Sequence, residues 1–330
     1  MKVVLLMLAT IAAVSGQTEP WCRCAAFVTY EYSEIMVYEE PEIPIDSCDA
    51  NGALQCKTTC ADNTMKVAAN LSFMFGEAGG LLARYKAARE AGFLAVECAF
   101  PYSVPEKDVA AVLKEEGLEQ VLINSDPVKL WLKFFVMEAN NFTGDLQAGE
   151  LGFAAVPGQE TRFRESLERS ISFAKALGCH KLHIMSGHQS ADHNEKAHVT
   201  TLESNLRHAV SRLAKEDIVG LIEPINPVSI PGYFLNNYDT GILHSWNFLA
   251  VSLIEKIESP YLRLQLDVFH LQMICGNVTN NIKKLIPLTV IMLVLSTVLQ
   301  AAQVVPSSGW ISVVLHSKVS DPAYNWEMGC

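Results

Sequence analysis

The chain has 330 residues, half of them apolar, and a formal net charge of −11. That length allows one large α/β domain with additions, and that apolar share fills a sizeable core. The acidic balance argues against a broad phosphate-binding surface, because nucleic-acid binders concentrate Lys and Arg; no Gly-rich phosphate loop occurs either, so neither a nucleic-acid partner nor a nucleotide cofactor is expected.

Residues 1–16 read as a secretory signal: Lys2 supplies the charged start, Val3 to Val14 the apolar stretch, and Val14-Ser15-Gly16 a cleavage site before Gln17. Residues 17–64 form an acidic, extracellular-type segment holding Cys22, Cys24, Cys48, Cys56 and Cys60. These five are expected to form a small disulfide framework with one left over. Zinc is the alternative, and the spacing suits it poorly. Cys98, Cys179, Cys275 and Cys330 are scattered and read as ordinary buried thiols.

At Met65 strand-like and helix-like stretches begin to alternate, the mark of βα units. The pattern predicts a strand over 66–73, a helix over 79–92, a strand over 93–99, a helix over 105–117 and a strand over 119–125. A long amphipathic helix over 159–178 follows, with Gly178 past its end. Then come a strand over 181–187, a helix over 196–217, a strand over 218–225, a helix over 239–257, a strand over 262–269 and a short helix over 277–286. Six βα units are legible, where a full (β/α)8 barrel has eight. Three apolar segments break the rhythm: Val128–Phe142, Ile242–Leu249 and Pro287–Val305. The last is long enough for a membrane span. However, Lys283 and Lys284 precede it and conflict with the positive-inside tendency behind a signal peptide, so a buried strand is the preferred reading.

Two of the predicted strands stop at a carboxylate. Ile218-Val219-Gly220-Leu221-Ile222 ends at Glu223, and Leu262-Arg263-Leu264-Gln265-Leu266 ends at Asp267, with His270 three residues on. A carboxylate at the end of a buried parallel strand is costly unless it is paired or binds a metal. In a (β/α) barrel that end carries the active site. Glu97 and His183 also lie in predicted strands and serve either substrate contact or buried pairing. His188, His193 and His198 fall in a polar loop and helix start and read as solvated surface. Trp131, Phe134 and Phe135 read as part of the first apolar segment.

Residues 65–287 resemble the hydroxypyruvate isomerase family of xylose-isomerase-like TIM barrels. The matching stretches run in order: Ala69-Asn70-Leu71-Ser72-Phe73, Ala95-Val96-Glu97-Cys98-Ala99-Phe100-Pro101-Tyr102, Val121-Leu122-Ile123-Asn124 and Gly149-Glu150-Leu151-Gly152-Phe153-Ala154-Ala155-Val156-Pro157-Gly158. Ala174-Lys175-Ala176-Leu177-Gly178-Cys179, Glu223-Pro224-Ile225-Asn226, Asp267-Val268-Phe269-His270 and Gly276-Asn277-Val278-Thr279 complete the set. The resemblance implies aldose–ketose isomerisation of hydroxypyruvate to tartronate semialdehyde, with a small hydroxy-keto acid as partner. It implies Glu223 as catalytic acid/base, Glu223 and Asp267 as ligands of a divalent cation, Mg²⁺ or Mn²⁺, and His270 on the substrate side. His183 joins His270 as a candidate substrate contact. A homo-oligomer fits the resemblance as well.

The family continues with a seventh strand bearing a polar ligand, a His-Glu-Pro loop and an eighth strand with Gly-Cys-Glu-Tyr, whose glutamate is the other acid/base. None of these follows Pro287; Trp310–Ser317 is strand-like, and His316 and Glu327 are the residues available for those roles. The expectation is therefore an incomplete α/β barrel over 65–290 and a divergent apolar tail over 291–330. The competing reading is a non-catalytic barrel, secreted or membrane-tethered. Localisation follows the signal, secretory, or is cytoplasmic if the native chain begins at Met65. The sequon Asn70-Leu71-Ser72 lies in a predicted buried strand, where a glycan would block folding, and this favours the cytoplasm for residues 65 onward.

Overall fold

The computed structural model describes residues 66–126, 151–238, 249–295 and 310–314, together with the backbone of five short strands before residue 45. Among the latter, Thr10–Ile11, Trp21–Arg23 and Ile43–Pro44 form an antiparallel sheet, and Ala25–Tyr30 pairs antiparallel with Ser33–Glu39. The remainder of the expected signal and four of the five clustered cysteines lie outside the described residues, and of Cys22 only the backbone is described.

The barrel follows. Its strands and helices alternate as β1 (Lys66–Asn70), α1 (Leu81–Glu90), β2 (Ala95–Glu97), α2 (Glu106–Glu116), β3 (Glu119–Asn124) and α3 (Glu160–Leu177). Next are β4 (Lys181–His183), α4 (Glu195–Leu213), β5 (Val219–Ile222), α5 (Leu249–Ile257), β6 (Leu262–Asp267), α6 (Val268–Ile274) and α7 (Val278–Leu285). Two further strands, β7 (Thr289–Leu295) and β8 (Trp310–Val314), close the sheet. Every neighbouring pair is parallel, and β8 returns to β1 with Trp310 opposite Lys66.

The α/β barrel expectation holds, and the six legible units are all present. The boundary at residue 290 is corrected: the run after Pro287 supplies β7, and Trp310–Val314 supplies β8. A strand of a parallel sheet is buried on both faces, so it reads as a continuous apolar run. Periodicity alone cannot separate such a run from a spanning segment. Among the described residues no helix is long and apolar enough to cross a membrane. Residues 127–150 and 239–248, with Val128–Phe142, Trp131, Phe134, Phe135 and most of Ile242–Leu249, lie outside the described residues, as do His316 and Glu327.

Among the described residues two apolar clusters form. The larger lies between sheet and helices, with α3 contributing Phe163, Leu167 and Ile171 and α4 contributing Leu202, Leu206 and Leu213. The smaller is Ala68, Ala95, Val121, Leu122, Leu221 and Ile291. Strand side chains alternate faces, so Ala68, Ala95 and Leu221 share a face with Asn70, Glu97 and Glu223, two residues on. The small cluster therefore floors the barrel interior beneath a polar rim. The helices end as their sequence dictates. Gly178 takes a left-handed conformation (φ 64°) after α3, and the Asn194 side chain accepts the Ala197 N–H at 2.9 Å to cap α4.

Gly152 carries a close approach that only glycine permits. Its φ is +92°, and a Cβ there would lie 2.2 Å from the Met185 carbonyl oxygen. Gly152→Ala is therefore expected to cost about 2 kcal/mol or more, read as a lowered urea midpoint. A midpoint equal to the parent chain's would show that the loop 151–158 does not press on the strand β4 extension as described.

Candidate active site

Five of the first six barrel strands finish on a polar residue at the carboxyl end, and the other is followed directly by one. Asn70, Glu97, Asn124, His183 and Asp267 are the last residues of β1, β2, β3, β4 and β6, and Glu223 follows β5 directly. All but Asn124 are buried. Consecutive strands are parallel, Asn70 pairs directly with Glu97 and Asn124 with His183, and β5 and β6 run on past the ends of their preceding neighbours. Residues two apart share a face, so these side chains form one ring around the barrel mouth.

The ring is wired by hydrogen bonds. Asn70 Nδ2 donates to Glu97, which fixes the buried Asn70 and leaves no room for a glycan. His183 Nδ1 sits 3.2 Å from Asn124 Oδ1 and 3.7 Å from Glu223 Oε2. The Asn124 oxygen can only accept, so the His183 proton is on Nδ1 and Nε2 keeps its lone pair. That buried Nε2 has no protein partner among the described residues. Gln265 Nε2, from β6, donates to Glu223 Oε2 at 2.7 Å. Asp267 Oδ1 accepts the His270 N–H at 2.8 Å, so the same carboxylate that faces the mouth caps α6.

The central cluster is Glu223, Asp267 and His270, whose donor atoms lie within 4.8 Å of one another. Both carboxylates are buried and His270 is half-buried. Burial, then the Asp267 charge, then that of Glu97 push the Glu223 carboxyl well above the ordinary carboxylate range. Burial also raises Asp267, against the opposing pull of His270 and the backbone N–H groups of His270 and Phe269. Two buried carboxylates that resist joint ionisation are the donor chemistry that a hard divalent cation satisfies. Glu223 and Asp267 fit such an ion as its protein ligands.

His183 is the other strongly shifted group. Burial pushes its imidazole down to about 3, and His270 adds to the effect. The ring is neutral beside Glu223, so the 3.7 Å approach is no ion pair. With the folded value below the ordinary 6.5, its contribution to stability is present above that pH and declines as pH falls toward 3. In an NMR titration His183 is expected to hold one neutral ring signal from about pH 8 to 5, where an ordinary histidine changes charge. A midpoint near the ordinary value would mean that the mouth is wetter than described.

All the expected site residues, Glu223, Asp267, His270 and His183, meet at one end of the barrel, with Glu97 near enough to act on Glu223. Of the three histidines read as surface, His193 is exposed and His188 half-buried. His198 is corrected: it is fully buried, its Nδ1 donating to the Ala155 carbonyl at 2.7 Å and its Nε2 accepting from Ser190 N–H at 3.1 Å. Cys98 and Cys179 are free, buried thiols as expected, pushed up to about 12 and 11 by burial. Gln265 and Asn124 had no role from sequence; a Gln two residues before Asp267 in an apolar strand was the available signal, since it must share the Asp267 face.

Residues 85–296 match the family model described as the xylose isomerase-like TIM barrel. A human protein, provisionally named a hydroxypyruvate isomerase, is 40% identical over 230 residues, which is 68% of this chain and 74% of that one. The hydroxypyruvate isomerase of Escherichia coli is 36% identical over 216 residues, covering 66% of this chain and 74% of that one. The crystal structure of a Brucella melitensis protein named AP endonuclease, family 2, is 31% identical with a TM-score of 0.61, covering 77% of this chain and 95% of that one.

Proposed function

The chain belongs to the xylose isomerase-like TIM-barrel family and to the hydroxypyruvate isomerases within it, and on that premise we propose that it interconverts hydroxypyruvate and tartronate semialdehyde through an enediol. The observation that carries this reading is the position of Glu223. It is a buried carboxylate at the barrel mouth, with Asp267 and His270 donor atoms within 4.8 Å.

The reaction moves one proton between adjacent carbons. Glu223 takes the proton from C3 of hydroxypyruvate, and the electron pair forms the C2–C3 double bond of the enediol. Return of a proton to C2 gives the aldehyde, while the hydroxyl proton shifts from O3 to O2. General acid–base transfer of this kind needs a carboxylate within hydrogen-bond reach of the carbon acid. Gln265 holds Glu223 Oε2 by its amide, so the other oxygen is the one aimed at substrate. A divalent cation, when held by Glu223 and Asp267, would polarise the substrate oxygens and offset the charge of the enediolate. The buried ring of polar residues excludes bulk water, which strengthens each of these contacts.

The name of the Brucella relative supplies the competing reading, an endonuclease acting on abasic DNA. The net charge of −11 opposes a duplex surface. The deciding experiment is an assay of the purified full chain for tartronate semialdehyde from hydroxypyruvate, with and without Mg²⁺ or Mn²⁺. Turnover that rises with cation supports the isomerase. Folded protein that gives none with either ion removes this reading and favours a non-catalytic barrel; nicking of abasic duplex would install the nuclease instead.

A further inference from the structure

Asn226 lies in the loop after β5, three residues beyond Glu223, and is buried to 1% exposure. Its side chain uses every hydrogen-bonding position that it has. Oδ1 accepts the backbone N–H groups of Val228 at 3.1 Å and Ser229 at 2.9 Å. Nδ2 donates to Ser229 Oγ at 2.9 Å and meets His270 Nδ1 at 2.6 Å. The two backbone donors fix which end of the amide is oxygen. Turning the amide over would set NH₂ against two N–H groups and oxygen against the ring nitrogen. Asn226 therefore presents an N–H to His270 Nδ1, and the Asn226 backbone N–H approaches the same atom at 3.4 Å. A nitrogen facing two donors carries a lone pair, so the ring proton is on Nε2.

This settles what the His270 ring can offer the site. Nδ1 has its lone pair engaged, and Nε2 has a proton in place of one. Neither nitrogen is a ready cation ligand, although one of them lies within 4.8 Å of both carboxylates. What remains is a single N–H donor on a half-buried ring at the mouth. We propose that Asn226 is a positioning residue that locks His270 in the Nε2–H tautomer, making the ring a donor to a substrate oxygen and not a third cation ligand. The tautomer rests on hydrogen-bond geometry alone; its use on a substrate oxygen rests on the isomerase reading.

Asn226→Asp is the informative change. Asp keeps Oδ1 for the Val228 and Ser229 N–H groups, so the turn survives, and it sets a second acceptor oxygen against His270 Nδ1. The ring proton must then move to Nδ1. The experiment is ¹⁵N NMR of the full chain labelled in its histidine rings, with His270 signals assigned by their loss in His270→Gln. The parent chain is expected to show Nε2 protonated and Nδ1 bare, and Asn226→Asp the reverse. If the parent shows Nδ1 protonated, or if Asn226→Asp leaves the pattern unchanged, the proposal is overturned. Steady-state kinetics give the second readout. Loss of a donor that acts on developing charge lowers kcat by on the order of 10²-fold with little change in KM. A parent chain without turnover would count against the isomerase reading, while the ring spectrum would still decide the tautomer.

Discussion

Glu223→Gln is expected to lower hydroxypyruvate turnover by roughly 10²- to 10⁴-fold, the range that a positioned general base contributes. Glutamine matches glutamate in shape and retains an oxygen to accept the Gln265 amide, now 2.7 Å from Glu223 Oε2, so the variant keeps its neighbours. What it loses is the group that accepts a proton. The same change is expected to stabilise the fold near neutral pH. The folded-state pKa of Glu223 is raised, by burial first and then by Asp267 and Glu97. Between the unfolded value of 4.5 and that raised value the folded chain binds more protons than the unfolded one, so stability falls as pH rises through the window. Glutamine removes that slope. Urea unfolding at two pH values in the absence of cation measures it. Unchanged turnover in the variant would remove Glu223 from the chemistry, and an unchanged pH slope would mean that the carboxylate is better solvated than described.

Asp267→Asn should cost divalent-cation affinity more than about 10²-fold, because losing a charged ligand exceeds the 10- to 100-fold typical of outer partners. The substitution is chosen to spare the fold. Asp267 caps α6 by accepting the His270 N–H at 2.8 Å, and Asn caps helices as well as Asp does. Charge and hard-ligand character go, while cap and volume remain. Titration of Mn²⁺ by calorimetry into the parent and variant chains reads the effect. Equal affinities would place any cation away from this carboxylate, and would undo the assignment of Glu223 and Asp267 as a pair.

How much of this was legible follows from what each residue had to signal. Glu223 and Asp267 stood out because an apolar strand that stops at a carboxylate is costly without a reason. Asn226 was in view within the Glu223-Pro224-Ile225-Asn226 stretch but had no visible role, since its meaning lies in an amide orientation set by Val228 and Ser229 and in a ring 44 residues on. His198 was misread because its loop neighbours are polar. The better signal was helical: Leu202 and Leu206 follow at four and eight residues on the same buried face of α4. For β7 and β8 the strand character was legible and the closure of the barrel was not. Their pairing with β6 and β1 is long-range, and nothing local tells an apolar run which sheet it will close.

The central step is proton transfer by Glu223 at the barrel mouth, and hydrogen exchange tests that step even apart from net isomerisation. The purified full chain would be incubated with hydroxypyruvate in D₂O, with Mg²⁺ or Mn²⁺, and deuterium at C3 followed by NMR against a protein-free control. Exchange well above the control in the parent chain, falling to the control in Glu223→Gln, is the predicted result. Exchange in the parent at the control rate, or equal exchange in the variant, would contradict it.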